Sequence, residues 1–368
     1  MPSAGAGALS DLVRLADVER AAAAVLPVSV RDFVAGGSGA ETTLAANRAA
    51  LDRVFVVPRV LGDVSACATD AALLGRPYRL PVALAPVAYQ RLLHPEGELA
   101  AARAAKAAGV PFTASTLSSV PVEELTAVGG SVWFQLYWLR DPGRSLDLVG
   151  RAEDAGAEAV LLTVDVPWMA RRPRDVRNRF ALPDRVRAAH FDDRPSAAHH
   201  RPTGSGSALA AHTGAAFSPA LTWSAVARLR ERTRLPLVLK GVLAPEDAVR
   251  AVECGVDAVV VSNHGGRQLD GAVPSVLALP AVVAAVAGRC EVLLDSGIRT
   301  GTDVLRALAL GASGVLIGRP PLWGLALAGE PGVRQVLDIL SEEFRDALGL
   351  AGCADVPAAA NLRTVRAP

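Results

Sequence analysis

From Pro81 onward the chain alternates short apolar runs of strand length with longer stretches in which apolar residues recur at helical spacing. The runs predict strands at Val82 to Ala85, Val110 to Ala114, Trp133 to Tyr137, Ala159 to Val164, Leu237 to Lys240, Ala258 to Ser262, Val292 to Asp295 and Gly314 to Ile317. Between them the spacing predicts helices at Glu96 to Ala108, Val122 to Ala127, Leu146 to Ala155, Trp223 to Arg232, Pro245 to Glu253, Pro280 to Ala287 and Thr302 to Leu310. Eight strands alternating with helices define an α/β chain and predict a parallel (β/α)8 barrel, the TIM-barrel architecture. An open doubly wound sheet would need fewer strands and a GxGxxG after the first, and none follows any of these strands.

Residues 1–78 read as a helical extension packed on the barrel, and residues 79–368 as the barrel itself with a terminal helix near Val333 to Leu348. Within the extension, Leu9 to Val25 is amphipathic, Pro27 interrupts it, and the Phe33 to Gly39 stretch ends a second helix in glycines. One connection is much longer than the rest. After the fourth strand a polar segment rich in Arg, Asp, His, Ser and Gly, with His199-His200 and Gly204 to Ser207, runs to Trp223, and its length predicts a lid over the barrel mouth. The His pair reads as solvated.

Composition narrows the function classes. With 51% hydrophobic residues and a net charge of +1, neither disorder nor a nucleic-acid surface is indicated. The apolar run from Val276 to Ala287 contains Pro280 and is too short for a bilayer, and the N-terminus lacks a basic leader, so a soluble cytoplasmic protein is expected. Cys67, Cys254, Cys290 and Cys353 lie far apart with no CxxC and no neighbouring His, which predicts neither disulfides nor a metal site. Among 38 Lys and Arg, only Lys106 and Lys240 are lysine. Lys240 closes an apolar strand, where an ammonium needs either a buried salt bridge or a bound anion.

In such a barrel the chemistry lies at the carboxyl ends of the strands. Those ends carry Ala85-Pro86, Ser115, Gln135 and Tyr137, Thr163 and Asp165, Lys240, Asn263 with His264 and Arg267, Asp295-Ser296-Gly297, and Gly318-Arg319. His264 and Arg267 flank a glycine pair and present a base beside a cation; a solvated loop with an incidental His fits those residues alone equally well. A Lys, an Asp, a His and an Arg converging on one rim need a ligand or mutual pairing. Loops after the last two strands, with Gly297, Arg299, Gly318 and Arg319, suit a phosphate.

The segments Ser262 to Asp270, Leu294 to Arg299, Thr163-Val164-Asp165 and His94 to Glu98, within a similarity running from about Leu26 to Cys353, resemble the FMN-dependent 2-hydroxy acid oxidases and dehydrogenases. The resemblance implies an FMN barrel in which Lys240 faces the flavin N1 and C2 carbonyl side. Ser115, Gln135 and Thr163 would bond the ring edge, and Asp295, Arg299, Gly318 and Arg319 would hold the phosphate. Ala85, Pro86, Val87, Ala88, Ser262, Ser296 and Gly297 complete the implied cofactor set.

On the substrate side, Arg267 and Arg172 would bind a carboxylate, His264 would take the hydroxyl proton, Asp165 would favour the imidazolium, and Tyr137 would bond the developing keto oxygen. Two positions depart from the family pattern: Phe33 stands where many members have Tyr, and Leu117 where short-chain oxidases have Trp. Both make the substrate pocket more apolar, and the second makes it roomier, which implies an (S)-mandelate-type acid oxidised to a benzoylformate. Phe33 to Gly39, Thr116 to Val120 and Val164 to Met169 look most like mandelate-oxidising members. O2 as acceptor, giving hydrogen peroxide, and a homotetramer are expected on resemblance. The alternatives are a dehydrogenase passing electrons to another acceptor, a lactate or glycolate oxidase, an FMN isomerase, and a non-catalytic barrel binding a phosphate ligand.

Overall fold

The computed structural model describes Leu9, residues 11–191 and residues 216–367. Three helices lead, α1 (Leu15–Val25), α2 (Val28–Ala35) and α3 (Thr42–Asp52). A short strand β1 (Val54–Val56) follows, then a hairpin of β2 (Ala71–Leu73) and β3 (Arg76–Tyr78). The barrel strands are β4 (Val82–Leu84), β5 (Phe112–Ser115), β6 (Val132–Leu136), β7 (Ala159–Thr163), β8 (Leu237–Val242), β9 (Ala258–Val261), β10 (Glu291–Leu294) and β11 (Gly314–Ile317). They close in parallel, β11 pairing β4, so the expected (β/α)8 barrel is present. The last strand, β12 (Thr364–Arg366), returns antiparallel to β1.

The outer layer is α4 (Glu98–Ala108), α5 (Val122–Ala127), α6 (Pro142–Asp154), the short α7 (Pro173–Arg177), α8 (Trp223–Arg232), α9 (Pro245–Glu253), α10 (Ser275–Val286), α11 (Gly301–Ala309) and α12 (Arg319–Ala328). Helices α13 (Glu330–Leu350) and α14 (Val356–Ala359) close the chain. Among the described residues no helix is long and apolar enough to cross a membrane.

Strand alternation positions the site. Odd and even residues of a strand point to opposite faces. Ala159 and Leu161 of β7, Val238 of β8, Val260 of β9, Leu293 of β10 and Trp133 of β6 form one buried cluster inside the barrel, while Val160, Leu162, Leu237 and Leu239 belong to the larger cluster under the helices. Leu73 and Tyr78 of the β2–β3 hairpin join the inner cluster and plug its amino-terminal end. Continuing the inward alternation by two residues gives Ala85, Ser115, Gln135, Thr163, Lys240, Ser262, Asp295 and Gly318. The top inner layer of the barrel is thus the polar set named from the sequence.

Several boundaries differ from expectation. Helix α10 begins at Ser275, ahead of the expected start at Pro280, which lies inside the helix and supplies no N–H for a bond to the Val276 carbonyl. Strand β8 continues past Lys240 to Val242 through a register shift at Gly241. Helix α3 and the β1–β12 and β2–β3 pairs were not anticipated. Of the expected lid, residues 192–215, including His199, His200 and Gly204 to Ser207, lie outside the described residues.

Candidate active site

A cleft of about 1100 Å3, counting its open mouth, lies over that polar layer. Its floor is a hydrogen-bonded chain: Ser115 Oγ donates to Gln135 Oε1 at 3.1 Å, and Gln135 Nε2 donates to Thr163 Oγ1 at 3.0 Å. Beside it, Lys240 Nζ lies 2.7 Å from Asp295 Oδ2 and donates to Ser262 Oγ at 3.0 Å. Burial alone would lower the ammonium pKa, but Asp295 and Asp165 hold it above its ordinary value. Lys240 is therefore both a buried ion-pair partner and a cation facing the cleft. Asp295, expected at the phosphate, is instead occupied by Lys240 and by Ser296 Oγ, which donates to its other oxygen at 2.7 Å.

One end of the cleft carries Arg299 and Arg319, beside Gly297 and Gly318. Arg319 donates to the carbonyls of Val34, Gly265 and Gly36, and Arg299 to that of Ile298. No ion-pair contact of either with a carboxylate is found among the described residues. Burial first, and then the Arg299 charge, push the Arg319 guanidinium down to about 9. Two mutually repelling guanidiniums at one end of a cleft, with a polar chain along its floor, fit a flat heterocycle carrying a dianionic phosphate.

The loop that carries His264 leaves β9 through Ser262, whose Oγ accepts the His264 amide at 3.0 Å. His264, Gly265 and Gly266 follow in the left-handed region with φ of 58°, 64° and 73°. A side chain at Gly266 would sit 2.6 Å from the Leu44 backbone in α3. The same helix pins the loop: Asn47 and Asn263 exchange two amide bonds, and Asp270 accepts the amides of Ala40 and Thr43. Strained non-glycine backbone recurs on the cleft wall at Tyr89 (φ 58°) and Ser296 (φ 78°) as well as His264.

His264 Nδ1 is 3.0 Å from Asp165 Oδ1, which leaves Nε2 for the cleft. Burial lowers the imidazole pKa, with Lys240 and Arg172 adding to the effect and Asp165 opposing it, so the ring is neutral at neutral pH. Burial would raise the Asp165 carboxyl, but His264 and Lys240 hold it below the usual carboxylate range. Asp165 fits there because residue 241 is glycine: at φ 112°, a Cβ would lie 2.5 Å from Asp165 Cγ.

Two further guanidiniums share the cleft wall. Arg172 Nη2 contacts Met169 Sδ at 2.8 Å, its Nη1 is 3.8 Å from Asp175, and its buried Nε has no hydrogen-bond partner. Arg267 Nη1 donates to the carbonyls of Phe33 and Gly36, both at 2.8 Å, and the guanidinium lies over the Phe33 ring at 5.5 Å. Part of its donor capacity is thus taken by backbone. Burial, then Arg172 and Arg319, drive the Arg267 pKa well down, and an anion would reverse that. Phe33 stacks on Phe180 at 4.4 Å and Tyr137 on Phe217 at 4.4 Å. Burial and then Asp165 raise the Tyr137 phenol to about 12, which keeps it a donor.

Every site residue named from the sequence lines the cleft except Asp165, Gln135 and Ser262, which stand behind its lining. Sequence reasoning assigned no role to Met169, Tyr89, Asp175 or Gly241. Gly241 carried the one readable signal, a glycine directly after a charged residue at a strand end.

Comparisons with known proteins agree with this geometry. Residues 22–364 match the model of the FMN-dependent dehydrogenases. The chain is 63% identical to 4-hydroxymandelate oxidase of Amycolatopsis orientalis, over 96% of this chain and 98% of that protein. It is 46% identical to L-lactate oxidase of Nostoc sp., over 95% and 97%. A crystal structure of mandelate oxidase with (S)-4-hydroxymandelic acid superposes with a TM-score of 0.94 at 62% identity, covering 96% of this chain and 99% of that one. The chain belongs to the FMN-dependent dehydrogenase family, and FMN is its cofactor. It is an oxidoreductase acting on 2-hydroxy acids.

Proposed function

We propose that the chain oxidises (S)-mandelate or 4-hydroxymandelate to the benzoylformate-type keto acid, with O2 reduced to hydrogen peroxide. The observation carrying this reading is the His264–Asp165 pair at 3.0 Å, facing a cleft whose wall also holds Arg172 and Arg267. The two guanidiniums hold the substrate carboxylate, Arg172 through its unpartnered edge and Arg267 through the edge not bonded to Phe33 and Gly36. His264 Nε2 accepts the hydroxyl proton, and Asp165 balances the imidazolium. The protonated Tyr137 phenol donates to the oxygen that becomes the keto group. FMN, when bound, supplies the acceptor for the electron pair leaving Cα. Ser115, Gln135, Thr163 and Lys240 are suited to its ring edge, and Arg299 and Arg319 with Gly297 and Gly318 to its phosphate. Ala85, Pro86, Val87 and Ala88 would line its other side, with Ser262 and Ser296 steadying the loops.

The aryl preference is supported by Phe33 and by Leu117, buried beside Ser115 with its amide on Ser115 Oγ at 3.1 Å. It is also supported by the substrate named for the 63% identical relative. Anaerobic titration of the holoenzyme with a panel of 2-hydroxy acids, followed by flavin absorbance, tests it: mandelates bleach fastest, and equal bleaching by glycolate or lactate refutes the aryl reading. One hydrogen peroxide per keto acid in air distinguishes an oxidase from a dehydrogenase. On family resemblance we also propose a cytoplasmic homotetramer, with residues 1–78 as an extension of the 79–368 catalytic unit; the solution mass tests the tetramer.

A further inference from the structure

We propose that Met169 is a peroxide-oxidation site, and that its sulfoxide weakens substrate binding at Arg172; the source of the peroxide rests on the oxidase reading above. The chain contains two methionines, Met1 and Met169. Met169 lies partly exposed on the cleft wall with His264, Tyr137 and Arg172, so peroxide formed in the cleft has direct access to its thioether. The cysteines are poor competitors. None lines the cleft, and burial pushes the Cys290 thiol up to about 11 and raises that of Cys353, so these two carry little thiolate.

In the reaction a thioether lone pair attacks one peroxide oxygen and the O–O bond breaks. Sulfur is oxidised by two electrons to the sulfoxide, and the departing oxygen takes up a proton and leaves as water. The Arg172 guanidinium, 2.8 Å from Sδ, then gains a much stronger acceptor than sulfur. The sulfoxide oxygen holds Nη2, next to the unpartnered Nε offered to the substrate carboxylate, and so competes for the same side of the guanidinium. The outcome is a product-dependent brake that methionine sulfoxide reductase can release.

The holoenzyme is turned over on (S)-mandelate in air, with and without catalase, and sampled for peptide mass, flavin content and kinetics. A gain of about 16 Da on the Met169 peptide is expected to rise with turnover number and to fall with catalase. KM is expected to rise by about tenfold, the loss of one charge-assisted hydrogen bond, with FMN retained. Met169→Leu, normalised to its own initial KM, shows no such rise, and reductase treatment restores the parent enzyme. An unmodified Met169 in the presence of accumulated peroxide, or an equal KM rise in Met169→Leu, overturns the proposal. Resting holoenzyme given hydrogen peroxide directly separates the two readings. If turnover yields no peroxide, the oxidase reading fails, and the added-peroxide arm alone decides Met169.

Discussion

Replacing Gly241 by alanine tests whether the His264–Asp165 pair depends on a missing side chain. The new Cβ would lie 2.5 Å from Asp165 Cγ and 2.6 Å from its Cβ, whereas ordinary contact begins at 3.4 Å. The carboxylate must therefore retreat by about 0.9 Å, which stretches the 3.0 Å contact with His264 Nδ1 beyond hydrogen-bonding range. Loss of one hydrogen bond to a charged group corresponds to about 1.5–3 kcal/mol, or roughly 10- to 150-fold in flavin reduction. Alanine at φ 112° also strains the fold by about 1–3 kcal/mol. Anaerobic stopped-flow reduction by (S)-mandelate, alongside FMN affinity and thermal midpoint, measures these effects separately. If the mechanism holds, Gly241→Ala combined with Asp165→Ala is no slower than Asp165→Ala alone, because the single Asp165→Ala change already removes the carboxylate that the new Cβ would displace. Additive losses, or a single-variant reduction rate within about threefold of the parent, refute the reasoning.

Further outcomes follow from the same geometry. Because burial lowers the His264 pKa, the acid limb of kcat/KM is expected below the ordinary histidine value of 6.5. Asp165→Asn removes the charge that raises that pKa, so the limb moves further down in pH while the plateau falls by about three orders of magnitude, from about 4 kcal/mol of lost ion-pair energy; a pH–rate profile reads both. Leu117→Trp overfills the cleft beside Ser115 and is expected to lower kcat/KM for mandelate by about tenfold relative to glycolate, measured by parallel kinetics. Asp303, fully buried, binds Arg48 through both oxygens at 2.5 and 2.8 Å and accepts the Arg299 amide at 2.9 Å. Asp303→Asn is expected to destabilise the protein by about 3–5 kcal/mol in denaturant titration. Burial would raise the Asp303 carboxyl, but Arg48 holds it below its ordinary 3.8, so the stabilisation is present above that pH and lost as pH falls through the folded value. The gap between parent and variant therefore closes below about pH 4.

The barrel was legible because its strands are buried on both faces and read as continuous apolar runs, while their ends switch abruptly to polar residues. The same alternation that hides Leu161 and Val260 turns Thr163 and Ser262 into the inner layer beneath the cleft, so strand phase alone located the floor of the site. Helix α3 was not legible. Its N-cap, Glu41, is left-handed and makes no side-chain cap bond, and its steadying contacts come from Asn263 and Asp270, far along the chain. The resemblance implied Asp295 at the phosphate; its carboxylate lies 2.7 Å from Lys240 Nζ on another strand, a pairing that sequence order does not reveal. Arg267 is expected from the sequence to bind a carboxylate, and its bonds to the Phe33 and Gly36 carbonyls, which take part of its donor capacity, depend on how α2 docks. Gly241 acts on Asp165, remote in sequence, and only its place after a charged strand-end residue marks it, whereas Asp175 lies three residues from its partner Arg172 with no pattern to set it apart from a surface acid.

The anchoring of the histidine loop by α3 also sets the order in which the molecule matures. Asn47 waits 216 positions for Asn263, and Thr43 waits 227 for Asp270. During vectorial synthesis the leading helices emerge with no surface to grip, and the sixth barrel strand emerges with a loop that has no reason to adopt three consecutive left-handed residues. Neither half prepares the other until both are free of the ribosome. Nascent chains short of Asp270 therefore lack the contacts that hold His264 in its left-handed turn.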